Sequence, residues 1–439
     1  MNQFQLLRSR RLGPLFAVQF LGAFNDNVFR FALVIFITFS LAEEVGIDPG
    51  SLVVISGGVF ILPFFLFSSL AGEIADKFEK SGLIRRIKFA EILVMGLGAF
   101  AIRVESPTLL FFVLFLMGTQ SAFFGPLKYG ILPQHLDESE LTGGNGLIQM
   151  GTYAAILSGG LTGGLLAAIG DIGPNLVITC VLFLAISGWL CAQFIPPAIA
   201  ADADIRITRN LPKATGQLVR YVAQDRTVLT LVLCISWFWF LGATFLSLIP
   251  TYAKQLLNAD EQGVTVMTAA FTIGIGIGSL LCERYSRGRI ELGLVPIACI
   301  GISLFAADFW LIGVPASQPG QLSIEALLGY LPALRAFFDL AMIGAFGALF
   351  IVPLYAALQA QVDAAHCARV IAALNVMNAA FMVISAIFTL LLLHFQLGIP
   401  SIFGIVAILN LVALAAANVA LPEFSKRTRA LVLRHNNSP

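Results

Sequence analysis

The sequence predicts an all-α membrane protein in which twelve transmembrane helices form two six-helix lobes. The first observation is compositional: of 439 residues, 58% are hydrophobic and only 12% are charged, which is too little charge for the surface of a soluble globular protein. The second is that continuous apolar stretches of about 20 residues, the length of a membrane-spanning helix, recur along the chain. They lack the ten-residue alternation of a β-barrel. The third is an internal repeat that divides the chain into two similar halves.

The spans follow from the apolar stretches, taken in chain order. Six lie in the first half, at 13–42, 51–75, 86–104, 107–133, 141–170 and 174–198, and six in the second, at 227–256, 262–282, 292–315, 333–361, 368–396 and 399–422. The polar link between the halves becomes amphipathic at Leu218, Val219 and Val222. We therefore predict a first lobe at 1–198, a cytoplasmic linker at 199–226 and a second lobe with a short basic tail at 227–439.

Basic residues indicate the orientation of the chain. If the N-terminus is cytoplasmic, 21 of the 26 Lys and Arg residues lie at cytoplasmic helix ends or loops, and only Arg103, Lys254 and Arg335 lie at the outer face. The positive-inside rule therefore places both termini in the cytoplasm. The first span is too long for a cleavable signal peptide. The net charge of +1 gives no reason to expect a nucleic-acid partner.

The repeat joins two pairs of corresponding segments. Gly72, Asp76 and Lys77 precede Arg85 and Arg86 after the second span, as Gly278, Glu283 and Arg284 precede Arg287 and Arg289 after the eighth. A second correspondence pairs Pro126-Leu127, Gln134, Asp137 and Asn145 with Pro353-Leu354, Gln361, Asp363 and Asn375. Two lobes related by an axis normal to the membrane are the arrangement that such parallel repeats produce.

One turn of the first span carries the strongest indication of function. Asn25, Asp26, Asn27 and Arg30 interrupt a stretch that is otherwise as apolar as a membrane helix. A charged residue at the bilayer centre costs at least about 2.5–3.5 kcal/mol, so such residues face a cavity or a partner. We therefore predict that these four residues form a substrate site. The alternative is an i, i+4 ion pair in which Asp26 and Arg30 only neutralise each other.

Further polar residues near the middle of other spans extend the candidate binding site: Gln120, Lys128, Asn145, Gln149, Asn375 and Asn378. Each amide could instead form an ordinary hydrogen bond between helices. Lys128 lies near a cytoplasmic helix end, where its side chain could extend to the interface.

Charges at the cytoplasmic helix ends are the candidate gating residues: Asp76, Lys77, Arg85, Arg86 and Glu91, with Glu283 and Arg284 in the second half. Pairs that form in one state and separate in another provide the two-state behaviour of alternating access. A static positive-inside cluster is the alternative. Arg335 and Asp339 repeat the i, i+4 spacing at an outer helix end near Asp308, as an outer gate or an exposed pair. Glycines 159, 160, 163 and 164 predict close helix packing.

Metal, cofactor and enzymatic functions lack support in the sequence. The six cysteines, at 180, 191, 234, 282, 299 and 367, have no CxxC spacing, and the four histidines, at 135, 366, 394 and 435, have no i, i+4 pairing. These spacings predict neither disulfides nor a zinc site. No histidine has a nucleophile and a carboxylate at suggestive positions. We therefore expect a protein that is not an enzyme and has no cofactor.

Several motifs resemble a known family. Gly72-x-x-x-Asp76-Lys77 with Arg85 and Arg86 is similar to the loop signature of the major facilitator superfamily. Three strings, at 19–27 (QFLGAFNDN), 124–132 (FGPLKYGIL) and 143–147 (GGNGL), resemble its bacterial lysophospholipid transporter branch, which also occurs fused to lysophospholipid acyltransferases. The likeness covers most of 13–170 and is weaker in the second half. Gln149 stands where that branch is expected to have an acid, and this departure bears on whether the headgroup is handled identically.

The resemblance implies a function. Members of that branch move lysophospholipid from the outer to the inner leaflet of the bacterial inner membrane for reacylation, so membrane lipids, a separate acyltransferase and a monomeric carrier are expected. In this scheme Arg30 meets the phosphate and Asp26 the ammonium of the headgroup. Two alternatives stay open: proton-coupled efflux of a drug or siderophore with Asp26 as proton carrier, and a membrane scaffold for a lipid acyltransferase.

Overall fold

The computed structural model describes residues 3–36, 49–208, 210–286, 288–313, 322–363 and 365–436. The first half contains α1 (Gln3–Arg8), α2 (Gly13–Phe36), α3 (Pro49–Lys77), α4 (Lys80–Arg103), α5 (Pro107–Gly130), α6 (Leu132–His135), α7 (Glu138–Ala167) and α8 (Gly173–Ala192). The second half contains α9 (Leu211–Gln224), α10 (Arg226–Leu256), α11 (Glu261–Ser286), α12 (Leu294–Ile312), α13 (Ile324–Gly329), α14 (Leu331–Gln361), α15 (Cys367–His394), α16 (Ile399–Ala420) and α17 (Glu423–Asn436). Arg287 and residues 37–42 and 314–315 of two predicted spans lie outside the described residues.

The predicted all-helical fold is confirmed. Among the described residues, nine helices are long and apolar enough to cross a membrane: α3, α5, α8, α10, α11, α12, α14, α15 and α16. Many large apolar side chains on these helices are exposed, including Phe183, Leu311 and Leu390, as expected where lipid covers the surface. The protein is therefore a multi-pass membrane protein.

Three further predicted spans form long helices that are not among these nine. They are α2, α4 and α7, which carry many of the polar residues singled out in the sequence. The number of twelve membrane crossings and the cytoplasmic placement of both termini stay predictions.

The chain divides into two compact units. The first unit comprises residues 1–137, 154–222 and 362–379. Within it, α2 and α4 both pack on α8, and α5 packs on α3 and α4. The amphipathic α9, which lies within the predicted linker, buries Ala214, Leu218 and Val222, whereas Val219 is exposed.

The second unit comprises residues 138–153, 223–361 and 380–439. Its α14 packs on α10, α11 and α12, while α16 packs on α10 and α12. The close approach of α11 to α14 requires glycine, because a Cβ atom at Gly274 or Gly278 would collide with the carbonyl oxygen of Ala341 or Ala345.

Two helices are divided between the units. The first part of α7 belongs to the second unit, and the first part of α15 belongs to the first unit. The lobe boundaries at 198 and 226 stay predictions.

Candidate functional site

The centre of the candidate site is a buried carboxylate in the first unit. Glu91 of α4 is 2% exposed, and its two oxygens accept three hydrogen bonds. Asn25 Nδ2 donates at 3.0 Å, Gln120 Nε2 at 3.0 Å and Lys88 Nζ at 2.6 Å. The ammonium of Lys88 also lies 4.8 Å from the ring centroid of Phe124. A buried charge needs this degree of pairing, because an uncompensated one costs several kcal/mol.

Asp26 and Arg30 lie beside this centre on α2 and are only partly buried. Ser121 Oγ donates to Asp26 Oδ2 at 2.8 Å, while the buried Oδ1 has no hydrogen-bond partner among the described residues. The guanidinium of Arg30 lies over the ring of Phe60, 4.7 Å from its centroid. The site therefore presents an anion and a cation that retain unused hydrogen-bonding capacity.

The charges of Asp26 and Arg30 interact, but the direct ion pair of the alternative interpretation is not formed in the described structure. Within the described part of the chain, no ion pair within 4 Å joins the two side chains. Each has a different neighbour: the carboxylate turns to a hydroxyl of α5, and the guanidinium turns to an aromatic ring of α3. The i, i+4 spacing allows a pair but does not enforce one, because a single ion pair on a helix is worth only about 0.2–0.5 kcal/mol.

Glycines bring the helices of the site close together. A Cβ atom at Gly22 would collide with Lys88 Nζ, so the glycine leaves room for this ammonium at its present place beside α2. On the opposite side, Cβ atoms at Gly159 and Gly163 would collide with the carbonyl oxygens of Phe24 and Val28. In the first unit, α7 thus packs backbone to backbone against the polar turn of α2.

Several predicted binding residues lie outside the cluster around Glu91. Asn27 is buried and donates to the carbonyl of Ala23 in its own helix at 2.7 Å. In the second unit, Asn145 Nδ2 donates to Gln359 Oε1 at 2.6 Å. Gln149 is also buried there, and its Nε2 has no hydrogen-bond partner in the described chain.

The remaining predicted binding residues lie in the first unit on α5 and α15. Lys128 is partly exposed and lies over the ring of Tyr129, 4.7 Å from its centroid. Asn375 approaches α5 so closely that a Cβ atom at Gly125 would lie 2.7 Å from its Nδ2. This Nδ2 finds no hydrogen-bond acceptor among the described residues. Asn378, one turn later, is buried. Of the ten predicted binding residues, the structure joins Asn25 and Gln120 through Glu91, with Asp26 and Arg30 alongside.

A second polar cluster holds the start of α15 against the end of α3, within the first unit. The carboxylate of Asp76 accepts from Arg369 Nε at 3.0 Å and from the backbone N–H groups of Ala368 and Arg369 at 3.3 and 3.2 Å. Arg369 Nη2 also donates to Asp202 at 3.0 Å. The first N–H groups of a helix lack partners within it and favour a negative charge. Asp76 supplies both the acceptor and the charge.

The other predicted gating residues differ in their surroundings. Lys77 Nζ donates to the carbonyl of Ile205 at 2.6 Å, and Arg86 is exposed. Arg85 Nε is buried without a hydrogen-bond partner among the residues that the structure describes. Glu91 lies in the cluster described first. In the second half, Arg284 is exposed, and the buried Oε2 of Glu283 has no partner in the described ranges.

Glu79 and Lys80, which follow Asp76 in the sequence, lie at the start of α4. Glu79 caps α4 by accepting from the N–H groups of Ser81 and Gly82, and it also accepts from Ala198. Burial by itself would raise the pKa of Glu79, but these three donors hold it below the ordinary 4.5. Burial lowers the pKa of Lys80, although the nearby Asp76 carboxylate favours its charged form.

Of the two alternatives for Arg335 and Asp339, the exposed pair is not formed among the described residues. Arg335 of α14 pairs with Asp308 of α12, through Nε at 2.7 Å and through Nη2, and Asp339 is buried. Asp339 lies one helical turn after Arg335, further from the exposed end of α14. The packing of α12 against α14 brings Asp308 within reach of the guanidinium instead.

Sequence reasoning missed Lys88, Ser121, Asp202 and Arg369 as parts of these clusters. The positive-inside pattern counts Lys88 among the cytoplasmic helix ends and loops, yet its i, i+3 spacing from Glu91 within an apolar stretch is a usable signal. Ser121 follows Gln120 directly and carries no distinctive pattern. The contacts between Asp76 and Arg369 join residues 293 positions apart, which a single sequence does not reveal.

Comparisons with known proteins agree with this architecture. The sequence profile of the Major Facilitator Superfamily matches residues 15–338. The chain belongs to this superfamily. It is 31% identical over 360 residues to the "Lysophospholipid transporter LplT" of Escherichia coli O157:H7 (strain EC4115 / EHEC), covering 80% of this chain and 81% of that protein. It is 29% identical over 366 residues to the protein of the same name from Cronobacter sakazakii (strain ATCC BAA-894), with the same coverage.

Solved structures of other transporters share the fold. The human organic anion transporter MFSD10 (TETRAN) aligns with a TM-score of 0.70 at 17% identity, covering 93% of this chain and 99% of that one. A bacterial homologue of the iron transporter ferroportin aligns with a TM-score of 0.67 at 13% identity, covering 95% and 100%. This superfamily member is thus a membrane transporter and not an enzyme.

Proposed function

We propose that this transporter moves lysophospholipid from the outer to the inner leaflet of the bacterial inner membrane by alternating access, with lateral access for the lipid. The relatives named as lysophospholipid transporters support the substrate class. The structural observation that carries the proposal is that Asp26 and Arg30 lie one helical turn apart without pairing within the described structure. A zwitterionic headgroup contains the two complementary charges.

The chemistry of each residue fits one part of the headgroup. The planar guanidinium of Arg30 can donate two hydrogen bonds to a phosphate. Asp26 can accept from an ammonium group through Oδ1, which no described residue satisfies. Ser121 and Gln120, which are hydrogen-bonded to Asp26 and Glu91 respectively, border the site with polar groups that suit a glycerol hydroxyl.

Lys88 and Glu91 hold other residues of this site in position. Their ion pair is buried, with the two side chains 1% and 3% exposed, and it holds Asn25 and Gln120 in fixed positions through Glu91. We assign these two residues to positioning rather than to direct contact with the headgroup. Supporting residues of this kind keep the side chains of a binding site in the geometry that binding requires.

The Asp76–Arg369 cluster supports the alternating-access part of the proposal. It joins the end of α3 to the start of α15 by charge-assisted hydrogen bonds, which can be exchanged for water when the helices separate. We propose that Asp76, Lys77, Arg85, Arg86, Glu283 and Arg284 act at gating positions, with Asp76 as the main contact. Reacylation of the delivered lipid would be the work of a separate acyltransferase, and the carrier would act as a monomer.

Reconstitution in proteoliposomes tests the proposal. Fluorescent lysophosphatidylethanolamine is added to one leaflet, and the fraction that resists extraction by albumin measures its transfer. Asp26→Asn and Arg30→Gln should each reduce transfer by roughly 10- to 100-fold, because a hydrogen bond to a charged group contributes about 1.5–3 kcal/mol.

Matched controls remove the same charges elsewhere. Asp171→Asn and Arg429→Gln change exposed residues of the same types and should leave transfer unchanged. Unaltered transfer in both Asp26→Asn and Arg30→Gln would refute the proposed site. Absence of lysophospholipid transfer combined with drug efflux would refute the proposed substrate.

A further inference from the structure

A groove on the first unit plays no part in the proposed transport mechanism. It has a volume of about 250 Å³ and is lined by residues of α3, α4 and α5. Phe123 and Leu127 line it from α5, and Ala71 and Ala75 line it from α3. The groove is present because α3 and α4 each pack on α5 but make few contacts with each other.

The lining of the groove is apolar apart from one residue. Eight of the nine lining side chains are aliphatic or aromatic, and Arg86 of α4 is the exception. Three of the eight are alanines, Ala71, Ala75 and Ala90, whose short side chains leave the space open. Such a lining offers water few hydrogen-bond partners and does not hold it firmly. In a protein that crosses the membrane, the apolar material available to fill the groove is a lipid acyl chain.

Arg86 adds a cation to this apolar lining. Its side chain is exposed, and no ion pair within 4 Å joins it to an acid of the described chain. The acids near it in the sequence have other partners, since Asp76 accepts from Arg369 and Glu79 caps α4. The guanidinium is therefore available to an external anion.

The groove is separate from the candidate substrate site. Lys88 follows Arg86 by two residues, over which an α-helix turns by about 200°, so the two side chains leave α4 on nearly opposite sides. Lys88 is buried and pairs with Glu91, whereas Arg86 and Ala90 are exposed. One face of α4 thus contributes to the buried network, and the other borders the groove.

Arg86 also lies within reach of lipid headgroups. It is six residues after Lys80, the first residue of α4, which corresponds to about 9 Å along the helix. The arginine side chain is long enough to extend from this depth towards the membrane surface while its methylene groups stay in apolar surroundings. The groove therefore combines space for an acyl chain with a cation for a phosphate.

We propose that this groove binds one anionic phospholipid of the surrounding bilayer, with its phosphate on Arg86 and one acyl chain between α3 and α4. The planar guanidinium can donate two hydrogen bonds to a phosphate, and basic pockets between membrane helices bind anionic headgroups. A headgroup that carries an ammonium group fits less well, because no acid is among the described residues that line the groove. In the orientation predicted from the basic residues, the lipid belongs to the cytoplasmic leaflet.

Native mass spectrometry of the purified full chain in detergent tests this site. The protein is freed of copurified lipid and mixed with dipalmitoyl phosphatidylglycerol or with phosphatidylethanolamine of the same acyl chains. The wild type should retain one phosphatidylglycerol more strongly than one phosphatidylethanolamine. Arg86→Gln should weaken phosphatidylglycerol binding by roughly 5-fold, because one basic side chain near anionic lipid contributes about 1 kcal/mol. Arg86→Lys keeps the charge and should bind more tightly than Arg86→Gln.

A second variant tests the apolar part of the groove. Ala90→Leu places a larger side chain in the space assigned to the acyl chain, and it should also lower the retention of phosphatidylglycerol. Matched controls change exposed residues of the same types elsewhere: Ala415→Leu on α16 and Arg429→Gln on α17 should bind as the wild type does. An equal loss in Arg86→Gln and Arg429→Gln would overturn the proposal, because it would show unspecific attraction to a basic surface.

Two further results would also overturn the proposal. Equal binding of the two lipids would show that the charge of the headgroup is not recognised, and unchanged binding in Ala90→Leu would show that the acyl chain lies elsewhere. Thermal denaturation gives a second readout: phosphatidylglycerol should raise the melting temperature of the wild type more than that of Arg86→Gln, because a ligand of the folded state stabilises it. These assays contain no lysophospholipid, so their outcome is independent of the proposed substrate.

Discussion

The two units bury polar groups in different ways. In the first unit, Glu91 gathers Asn25, Gln120 and the charged Lys88 into one network. In the second, Asn410 of α16 accepts from Trp237 Nε1 at 2.9 Å and donates to Ser303 Oγ at 3.0 Å. All three of these side chains are neutral.

This contrast separates packing from function. Neutral hydrogen bonds between membrane helices contribute modestly and serve to join helices. Intramembrane charge is costly and is retained where a protein uses it. We therefore propose that the first network positions the residues of the substrate site, and that the second serves ordinary helix association.

The largest effect is expected when the charged network loses its acceptor. Glu91→Gln leaves the Lys88 ammonium buried without a carboxylate, and breaking a buried pair in this way costs about 3–5 kcal/mol. The free energy of unfolding in detergent, measured by chemical denaturation, should fall by that amount, and lipid transfer should be lost. The double variant Lys88→Gln/Glu91→Gln should recover part of the stability; a double variant no more stable than Glu91→Gln would contradict the buried pair.

A second prediction concerns the contact between α3 and α15. Asp76→Asn removes the charge that holds Arg369 and the first N–H groups of α15, at a cost of about 1.5–3 kcal/mol. Cys367 is 3% exposed at this helix start. In a variant that retains only this cysteine, labelling by a maleimide should accelerate by roughly 10- to 100-fold, and an unchanged labelling rate would show that Asp76 does not hold the helix.

The neutral network should be less sensitive. Asn410→Ala removes the acceptor of Trp237 and one of the two hydrogen bonds of Ser303. We expect a loss of about 0.6–1.7 kcal/mol in the free energy of unfolding, between the average and the maximum for interhelical hydrogen bonds in membranes. Lipid transfer should persist in the folded fraction. A loss as large as that of Glu91→Gln would remove the distinction between the two units.

A smaller effect is expected at the counterpart of Asp76 in the sequence repeat. Glu283 Oε2 has no hydrogen-bond partner in the described structure, and the neighbouring helices rely on close packing, since a Cβ atom at Gly146 would lie 2.7 Å from the carbonyl oxygen of Ser279. Glu283→Gln should change the free energy of unfolding by less than about 0.5 kcal/mol. A loss comparable to that of Asp76→Asn would show that the two halves gate alike.

The smallest effect is a pH dependence at Glu79. Its pKa in the folded protein lies below 4.5, so its ionised form stabilises the fold at higher pH. This contribution should be lost as the pH falls through the folded pKa, below about pH 4.5. The melting temperature of the wild type should therefore decline more steeply with acidification than that of Glu79→Gln; parallel curves would contradict the role of Glu79 as a charged cap.

The sequence is informative where periodicity and composition act locally, and less so where distant residues meet. Apolar runs reveal the helices, and the turn at Asn25 to Arg30 reveals one edge of the site. The choice of partner does not follow from spacing: Arg335 bonds to Asp308 rather than Asp339, because the packing of α12 on α14 determines what lies within reach. Likewise, the assignment of 367–379 to the first unit depends on contacts that no local pattern encodes.

Gly22 shows that an absent side chain can set the chemistry of its neighbours. Even one added methyl group would collide with the Lys88 ammonium, so a related protein with alanine here could not retain the same lysine geometry. Surveys that compare only ionisable positions would overlook this dependence. Position 22 is therefore a place at which a substitution would move the Lys88 ammonium, and with it the hydrogen bond to Glu91, without altering any charge.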